Sequence, residues 1–319
     1  MTNLVLSRPT DEASTPKDAL IKLVTDTLSS EHTCRAYTRA LSDFLDWYQT
    51  QGAPPLQKSV VAAYVAELRE AKLSPANINQ RLSAIKKLVT EAADNHLLNF
   101  QNAEAIHRVK GVRSEGRKTG NWLTRDDAQA LLSTPSKTST TESKGLRDRA
   151  ILAITLGGGL RRSELVNLRV EMIRQLDGRW VIADLTGKRG RTRTVPIPAW
   201  TKVAVDAWTE HAGITDGVLF RSIDRHGNIG ASMTSQAIHF IVTSYANEQN
   251  LSSKLTPHDL RRTFAKLAHK GGSPIDQIQL TLGHESIKTT EIYLGVQQNL
   301  THAPCDVLGL TLEKEDVHH

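Results

Sequence analysis

Cysteine is nearly missing from this chain: in 319 residues only Cys34 and Cys305 carry a thiol. Two isolated thiols exclude a disulfide framework and any paired Cys/His zinc spacing, and they point to a reducing compartment, the cytoplasm. No apolar run approaches the roughly 20 residues needed to cross a bilayer. The N-terminus also lacks the basic and apolar regions of a secretory leader. No Gly-rich loop leads into Lys-Ser/Thr, which excludes a P-loop nucleotide site, and no His-Glu-x-x-His segment occurs, which excludes that type of metal helix. Neither a metal nor a cofactor is expected. Internal repeats, heptads and low-complexity tracts are absent as well.

What is present is a moderately basic chain with enough apolar residues for real cores. Lys plus Arg is 40 against 34 for Asp plus Glu, a net charge of +6, and 39% of the residues are hydrophobic. The length exceeds one typical domain, so two units are expected. The excess charge is small, and it is informative only because it is clustered.

Residues 1–15, rich in Ser, Thr and Pro, read as a flexible arm. Residues 16–107 read as amphipathic helices, with apolar residues at helical spacing in Leu20, Leu23, Val24 and Leu28 and again in Tyr37, Leu41, Phe44, Leu45 and Tyr48. Ser74-Pro75 marks another helix start, so four or five helices in a bundle are predicted. Residues 108–121 then form a basic linker carrying Arg108, Lys110, Arg113, Arg117 and Lys118 against the single acid Glu115. Such a run is either a solvated tether or a segment that crosses a nucleic-acid backbone.

From residue 122 to 319 a second, mostly helical unit is predicted, with one small β element. Arg147 to Leu156 reads as a buried helix ended by Gly157-Gly158-Gly159, and another helix begins at Arg161. Trp180-Val181-Ile182 and Thr192 to Pro196 read as two strands of a hairpin. Lys188, Arg189, Arg191 and Arg193 crowd its tip without an acid among them. Helices return over roughly 200–211, 232–247, 256–270, 273–282 and 286–294.

The last fifth of the chain carries the chemistry. Thr256-Pro257 is a helix cap followed by proline at the first helical position, and His258 and Arg261, three apart, fall on one face of the first turn. Free N–H groups and the dipole favour an anion there. His284 and Tyr293 follow, and Gly159-Leu160-Arg161-Arg162-Ser163-Glu164 lies upstream. Two guanidiniums can hold a phosphodiester, two imidazoles can manage its protons and oxygens, and a tyrosine hydroxyl can attack phosphorus to form a covalent ester. Each piece alone has an ordinary structural alternative: a helix salt bridge for Arg161 and Glu164, a helix-end residue for His284, a packed aromatic for Tyr293.

Taken together the motifs resemble the tyrosine recombinase (phage integrase) family. The resemblance is carried by Gly159-Leu160-Arg161-Arg162-Ser163-Glu164-Leu165, Gly187-Lys188 before Val195-Pro196, Pro257-His258-Asp259-Leu260-Arg261, Leu282-Gly283-His284 and Thr289-Thr290-Glu291-Ile292-Tyr293. Arg162 departs from the pattern, standing where an apolar residue is usual, and Arg262 doubles Arg261. The fold this implies is mainly α: an N-terminal SAM-like core-binding helical bundle and a C-terminal catalytic domain with a small sheet, together closing as a clamp on DNA.

The resemblance further implies a site-specific recombinase, independent of metal and ATP, that cleaves and rejoins strands through a 3′-phosphotyrosyl intermediate and a Holliday junction. Tyr293 would be the nucleophile, Arg161 and Arg261 would brace the non-bridging oxygens, and Lys188 would protonate the leaving 5′-oxygen. His258 would transfer a proton near the nucleophile, His284 would donate to the phosphate, and Glu164 would position these groups. Arg108, Lys110, Arg113, Arg117, Lys118, Arg189, Arg191 and Arg193 would contact DNA. The partners implied are double-stranded DNA with inverted half-sites and a homo-tetramer in which the tail, residues 294–319, packs in trans, with a second recombinase or DNA-bending proteins as further candidates. The short arm suggests a Xer-like, plasmid or transposon role. A type IB topoisomerase, a telomere resolvase and an inactive DNA-binding regulator are the alternatives.

Overall fold

Short polar caps decide where the helices begin. Thr15, Ser30, Ser74 and Asn99 each accept a backbone N–H from the first turn they precede, and Pro16 and Pro75 open their helices, where the missing N–H has no intrahelical partner to lose. The computed structural model describes residues 15–113, 121–187, 190–251 and 255–295. Most of the arm, Arg117 and Lys118 of the linker, Lys188 and Arg189 of the hairpin tip, and the tail from residue 296 lie outside the described residues.

The chain divides into two units, Met1–Lys118 and Thr119–His319. The first contains α1 (Pro16–Thr25), α2 (Glu31–Thr50), α3 (Lys58–Glu70), α4 (Pro75–Asp94) and α5 (Phe100–His107). Their apolar stripes meet in one core that includes Leu41, Phe44, Val61, Ile85 and Ile106. Each such side chain contributes roughly 1.5–3 kcal/mol on burial. The start of the basic segment is not loose. Asn79 on α4 clamps residue 112 from both sides, its Nδ2 donating to the Val112 carbonyl at 2.9 Å and its Oδ1 accepting the Val112 N–H at 2.8 Å. Arg108, Lys110 and Arg113 remain exposed around this anchor.

The second unit contains α6 (Arg125–Ser133), α7 (Pro135–Thr138), α8 (Glu142–Gly158) and α9 (Arg162–Val166), then β1 (Ile173–Leu176), β2 (Arg179–Thr186) and β3 (Thr192–Pro196). After these come α10 (Ala199–Ala212), α11 (Ser235–Glu248), α12 (Pro257–Lys270), α13 (Ile275–Leu282) and α14 (Ile287–Leu294). The sheet has the order β1-β2-β3, all antiparallel. The hairpin expected from the sequence is β2-β3, and β1 is an addition. Its residues, Ile-Arg-Gln-Leu, are mostly exposed and carry no alternation that would mark a strand. Pairing breaks register between Ile182 and Leu185, and Asp184 takes a positive φ of 55° there. This irregularity turns Asp184 outward between buried Ala183 and Leu185.

Two sequence expectations need correction. The helix at 147–156 starts five residues earlier, at Glu142 behind the Thr141 cap, and Gly157 and Gly158 lie inside it rather than ending it. Only Gly159 terminates α8, in the left-handed conformation at φ 63°. The two helical glycines serve packing instead. A Cβ on Gly157 would stand 2.3 Å from Thr201 Oγ1 on α10, and one on Gly158 would stand 3.1 Å from Leu160 Cδ1. At Gly157 the long central helix can therefore approach α10 at backbone distance. Among the described residues no helix is long and apolar enough to cross a membrane.

Gly157→Ala is expected to lower stability by about 1–3 kcal/mol, the range for overpacking a close contact, although alanine is the better helix former. Urea unfolding of the two proteins measures this, and an unchanged or raised midpoint would show that α10 yields without cost.

Candidate active site

The site is built on the first turn of α12. Thr256 caps it reciprocally with Asp259, whose carboxylate accepts the Thr256 N–H at 3.0 Å, and Pro257 sets the opening φ. The i, i+3 spacing then puts His258 and Arg261 on one face as expected, with Arg262 at i+4 beside them. Arg261 is 2% exposed. Its Nη1 donates to the Gly159 carbonyl at 2.6 Å, and its Nη2 donates to the Leu282 carbonyl.

Arg161 comes from the tight turn between α8 and α9. It is the N-cap of α9 and not a helical residue, and Glu164 at the third helical position reaches back to it. The Glu164 carboxylate accepts the Arg161 N–H at 2.8 Å and Arg161 Nη1 at 2.8 Å. Arg161 Nη2 reaches the Gly283 carbonyl at 3.3 Å. Glu164 itself is buried, 4% exposed, and also lies 3.9 Å from Arg261 Nη1. It makes no bond to His258.

His284 follows the left-handed Gly283 that ends α13. Its N–H closes the helix on Gln279 O at 3.2 Å, and its Nδ1 shares a 3.0 Å hydrogen bond with the hydroxyl of the buried Thr290. So the helix-end reading of His284 holds, and the same residue packs beside Tyr293. Tyr293, on α14, sits between the two imidazoles. Its ring centroid is 5.3 Å from that of His258 and 5.3 Å from that of His284, both edge-on. The Arg262 guanidinium lies 4.8 Å over the ring, and the hydroxyl donates to the His258 carbonyl at 3.1 Å.

Arg161, His258 and Arg261 line a cleft of about 440 Å³ together with Arg162, His239 and Thr256, and no carboxylate lines it. Burial, and then that concentration of cations, shifts several titratable groups at the site. Desolvation first, then the charges of Arg261 and Arg161, push His284 down to about 4. Desolvation by burial, then Arg262 and Arg261, lowers His258 as well. Both imidazoles are thus neutral at pH 7. Burial raises the Tyr293 hydroxyl above its ordinary value while Arg261 and Arg262 pull the other way. Burial, then Arg161, pushes Arg261 down to about 10, still charged at neutral pH. Burial alone would raise Glu164, but the hydrogen bonds from Arg193 and the Arg161 N–H outweigh it and hold the carboxylate ionised. The arrangement can bind an anionic phosphodiester and keep neutral imidazoles beside a phenol.

Of the expected site residues, the structure brings together Arg161, Glu164, His258, Arg261, His284 and Tyr293. Lys188 and Arg189 lie outside the described residues; on either side of them the Gly187 N–H donates to Arg191 O at 2.7 Å. Arg191 is exposed. Arg193 corrects the sequence reading: it is no exposed tip cation but has an 11% exposed side chain bound to Glu164. Alternation could have found it, since Arg193, Val195 and Ile197 share the inward face of β3, and the latter two are buried. Thr290 and His239 were also missed, and neither carries a local signal.

Residues 121–299 match the model described as Phage integrase family, and residues 20–96 match that of the phage integrase N-terminal SAM-like domain. The chain belongs to the phage integrase family. Among relatives of this integrase-family chain, the tyrosine recombinase XerC of Xanthomonas campestris pv. campestris is 30% identical over 83% of this chain and 78% of its own length. XerC of Listeria innocua is 26% identical over 90% and 94%. The fold is that of the XerH site-specific recombinase bound to palindromic difH substrate, at TM-score 0.68 and 16% identity over 92% of this chain and 97% of that one. It is also that of the Tn1549 transposon integrase in complex with circular intermediate DNA, at TM-score 0.66 and 17% identity over 88% and 96%.

Two outcomes follow from the charges. Glu164→Ala leaves buried guanidiniums facing one another, and urea unfolding is expected to show a loss of about 3–5 kcal/mol, with a loss under about 1 kcal/mol contradicting a buried pair. For His284 the folded state refuses a proton that the unfolded chain accepts, so stability falls as pH drops from about 6.5 to about 4. His284→Gln should flatten that slope in unfolding midpoints taken at pH 7, 5.5 and 4.5, and parallel curves would contradict the shift.

Proposed function

We propose that this integrase-family protein is a site-specific DNA recombinase that cleaves and rejoins strands through a phosphotyrosyl intermediate. The observation that carries the proposal is the wedging of Tyr293 between two neutral imidazoles beside a cleft lined by Arg161 and Arg261. Packing accounts for the ring contacts, but not for a hydroxyl held beside two guanidiniums. A nucleophilic role accounts for it.

In the proposed reaction the scissile phosphate enters the cleft and its non-bridging oxygens take donors from Arg161 and Arg261. A phosphoryl transition state spreads charge over those oxygens, so fixed guanidiniums stabilise it more than the ground state. The phenol is protonated at neutral pH, and His258, neutral and edge-on to its ring, is the acceptor for its proton. The Tyr293 oxygen forms a bond to phosphorus as the bond from phosphorus to the 5′-oxygen breaks. Lys188 donates the proton that the leaving oxygen needs, and His284 donates to the phosphate. Because one phosphoester replaces another, rejoining needs no nucleotide. Glu164 stays ionised among arginines and holds them in place, so it acts on no proton.

The substrate is double-stranded DNA with inverted half-sites, bound in part by the exposed Arg108, Lys110, Arg113 and Arg191. Four copies assemble on two synapsed sites, with the tail from residue 294 linking neighbours, and the reaction takes place in the cytoplasm. Residues 16–107 form the core-binding helical domain and residues from 122 the catalytic domain.

The test is covalent capture. Nicked duplexes carrying randomised inverted half-sites are incubated with the protein, and adducts surviving denaturation are sequenced. Wild type should yield an adduct, and Tyr293→Phe should yield none while binding DNA equally. An adduct that persists in Tyr293→Phe, or none from wild type on any site, would overturn the proposal.

A further inference from the structure

Three consecutive carbonyls at the end of α13 are each taken by a different arginine. Thr281 O accepts Arg193 Nε at 2.8 Å, Leu282 O accepts Arg261 Nη2, and Gly283 O accepts Arg161 Nη2 at 3.3 Å. The last carbonyls of a helix have no partner within it and carry its negative pole, so three cations there are well placed. Two of those arginines line the cleft. Arg193 does not, and its side chain is almost wholly covered.

Arg193 also grips Glu164 with both ends of its fork, Nη1 on Oε1 and Nη2 on Oε2, each at 2.9 Å. The same two oxygens hold Arg161, Oε1 through its Nη1 and Oε2 through its backbone N–H, both at 2.8 Å. A carboxylate has about four lone-pair sites, and these bonds fill them. Without Arg193 the carboxylate could turn, and the Arg161 guanidinium would turn with it. Arg193 further lies across Gly283, where a Cβ would come within 3.0 Å of its Cδ, so it braces the residue directly before His284.

We infer that Arg193 is a positioning residue: through Glu164 it sets the direction of Arg161, and through Thr281 and Gly283 it fixes the helix end that carries His284. This rests on the strand-transfer reading above. Arg193 touches no DNA in this scheme, in contrast to its neighbours on the hairpin. Lysine cannot replace it, because a single ammonium cannot fill both carboxylate oxygens and the Thr281 carbonyl in one plane.

The experiment measures single-turnover cleavage of a captured suicide duplex at saturating protein, for wild type, Arg193→Lys, Arg161→Ala and the double variant, with DNA affinity and thermal midpoint read alongside. Arg193→Lys should bind DNA as wild type does, remain folded at the assay temperature, and cleave roughly 10- to 100-fold more slowly, the scale on which outer partners orient a site's ligands. The double variant should be less impaired than the product of the two single deficits, because the part of the lysine change that acts through Arg161 is already removed. Should Arg193→Lys unfold, Arg193→Gln, which retains a donor for Glu164, is read in the same way. Cleavage at the wild-type rate, weakened DNA binding as the main effect, or deficits that multiply in the double variant would each overturn the assignment. Wild type failing to form an adduct would instead overturn the strand-transfer reading itself.

Discussion

One buried carboxylate and one helix end are set against three guanidiniums, and the rest of the second unit is arranged around that imbalance. Glu164 offers a single negative charge, and the carbonyls of residues 281–283 add the partial charge of a helix pole. Together they keep Arg161, Arg193 and Arg261 from repelling one another, but they do not neutralise them. The surplus is directed into a cleft without acids, which is the electrostatic definition of an anion site. Burial first, and then that positive field, keep both histidines beside it neutral.

Neighbouring residues on α12 show how finely the backbone sorts identical side chains. Arg261 turns inward and loses nearly all its water, satisfied by two carbonyls from distant segments. Arg262, one residue on, swings some 100° around the helix and lies over the Tyr293 ring. The doubling of arginines that left the sequence ambiguous is resolved by tertiary contact: i+3 and i+4 both lie on the side of His258, and it is Arg261 that meets the Gly159 and Leu282 carbonyls. Arg161 and Arg162 are sorted differently, since Arg161 caps a helix that Arg162 begins.

Much of this was legible beforehand because it rests on local rules. Caps and proline fixed the starts of α4 and α12, the three-residue spacing put His258 with Arg261, and the apolar stripes of α2 and α4 predicted a helical bundle. The convergence of Tyr293 on the histidines was foreseen only through family resemblance, since no local rule relates α14 to α12. Hidden features were those decided by tertiary contact. Nothing local says that Gly157 and Gly158 continue a helix so that α10 can approach at Gly157, or that Thr290 fixes a ring six residues away. Arg193 is the instructive case. Charge composition put it on the surface with its hairpin neighbours, while alternation with Val195 put it inside, and the partner that makes an inward arginine tolerable, Glu164, lies 29 residues upstream.

Gly159 shows how far structure and chemistry can be merged in one position. It ends α8 in a conformation other residues resist, it has the Phe264 ring where a side chain would begin, and its carbonyl receives Arg261. A methyl group there would act at once as a fault in folding and as a misaligned guanidinium, with no way to separate the two in a phenotype. Substitution at such a junction reports on the whole assembly, and the vocabulary that sorts residues into scaffold and machinery has no place for it.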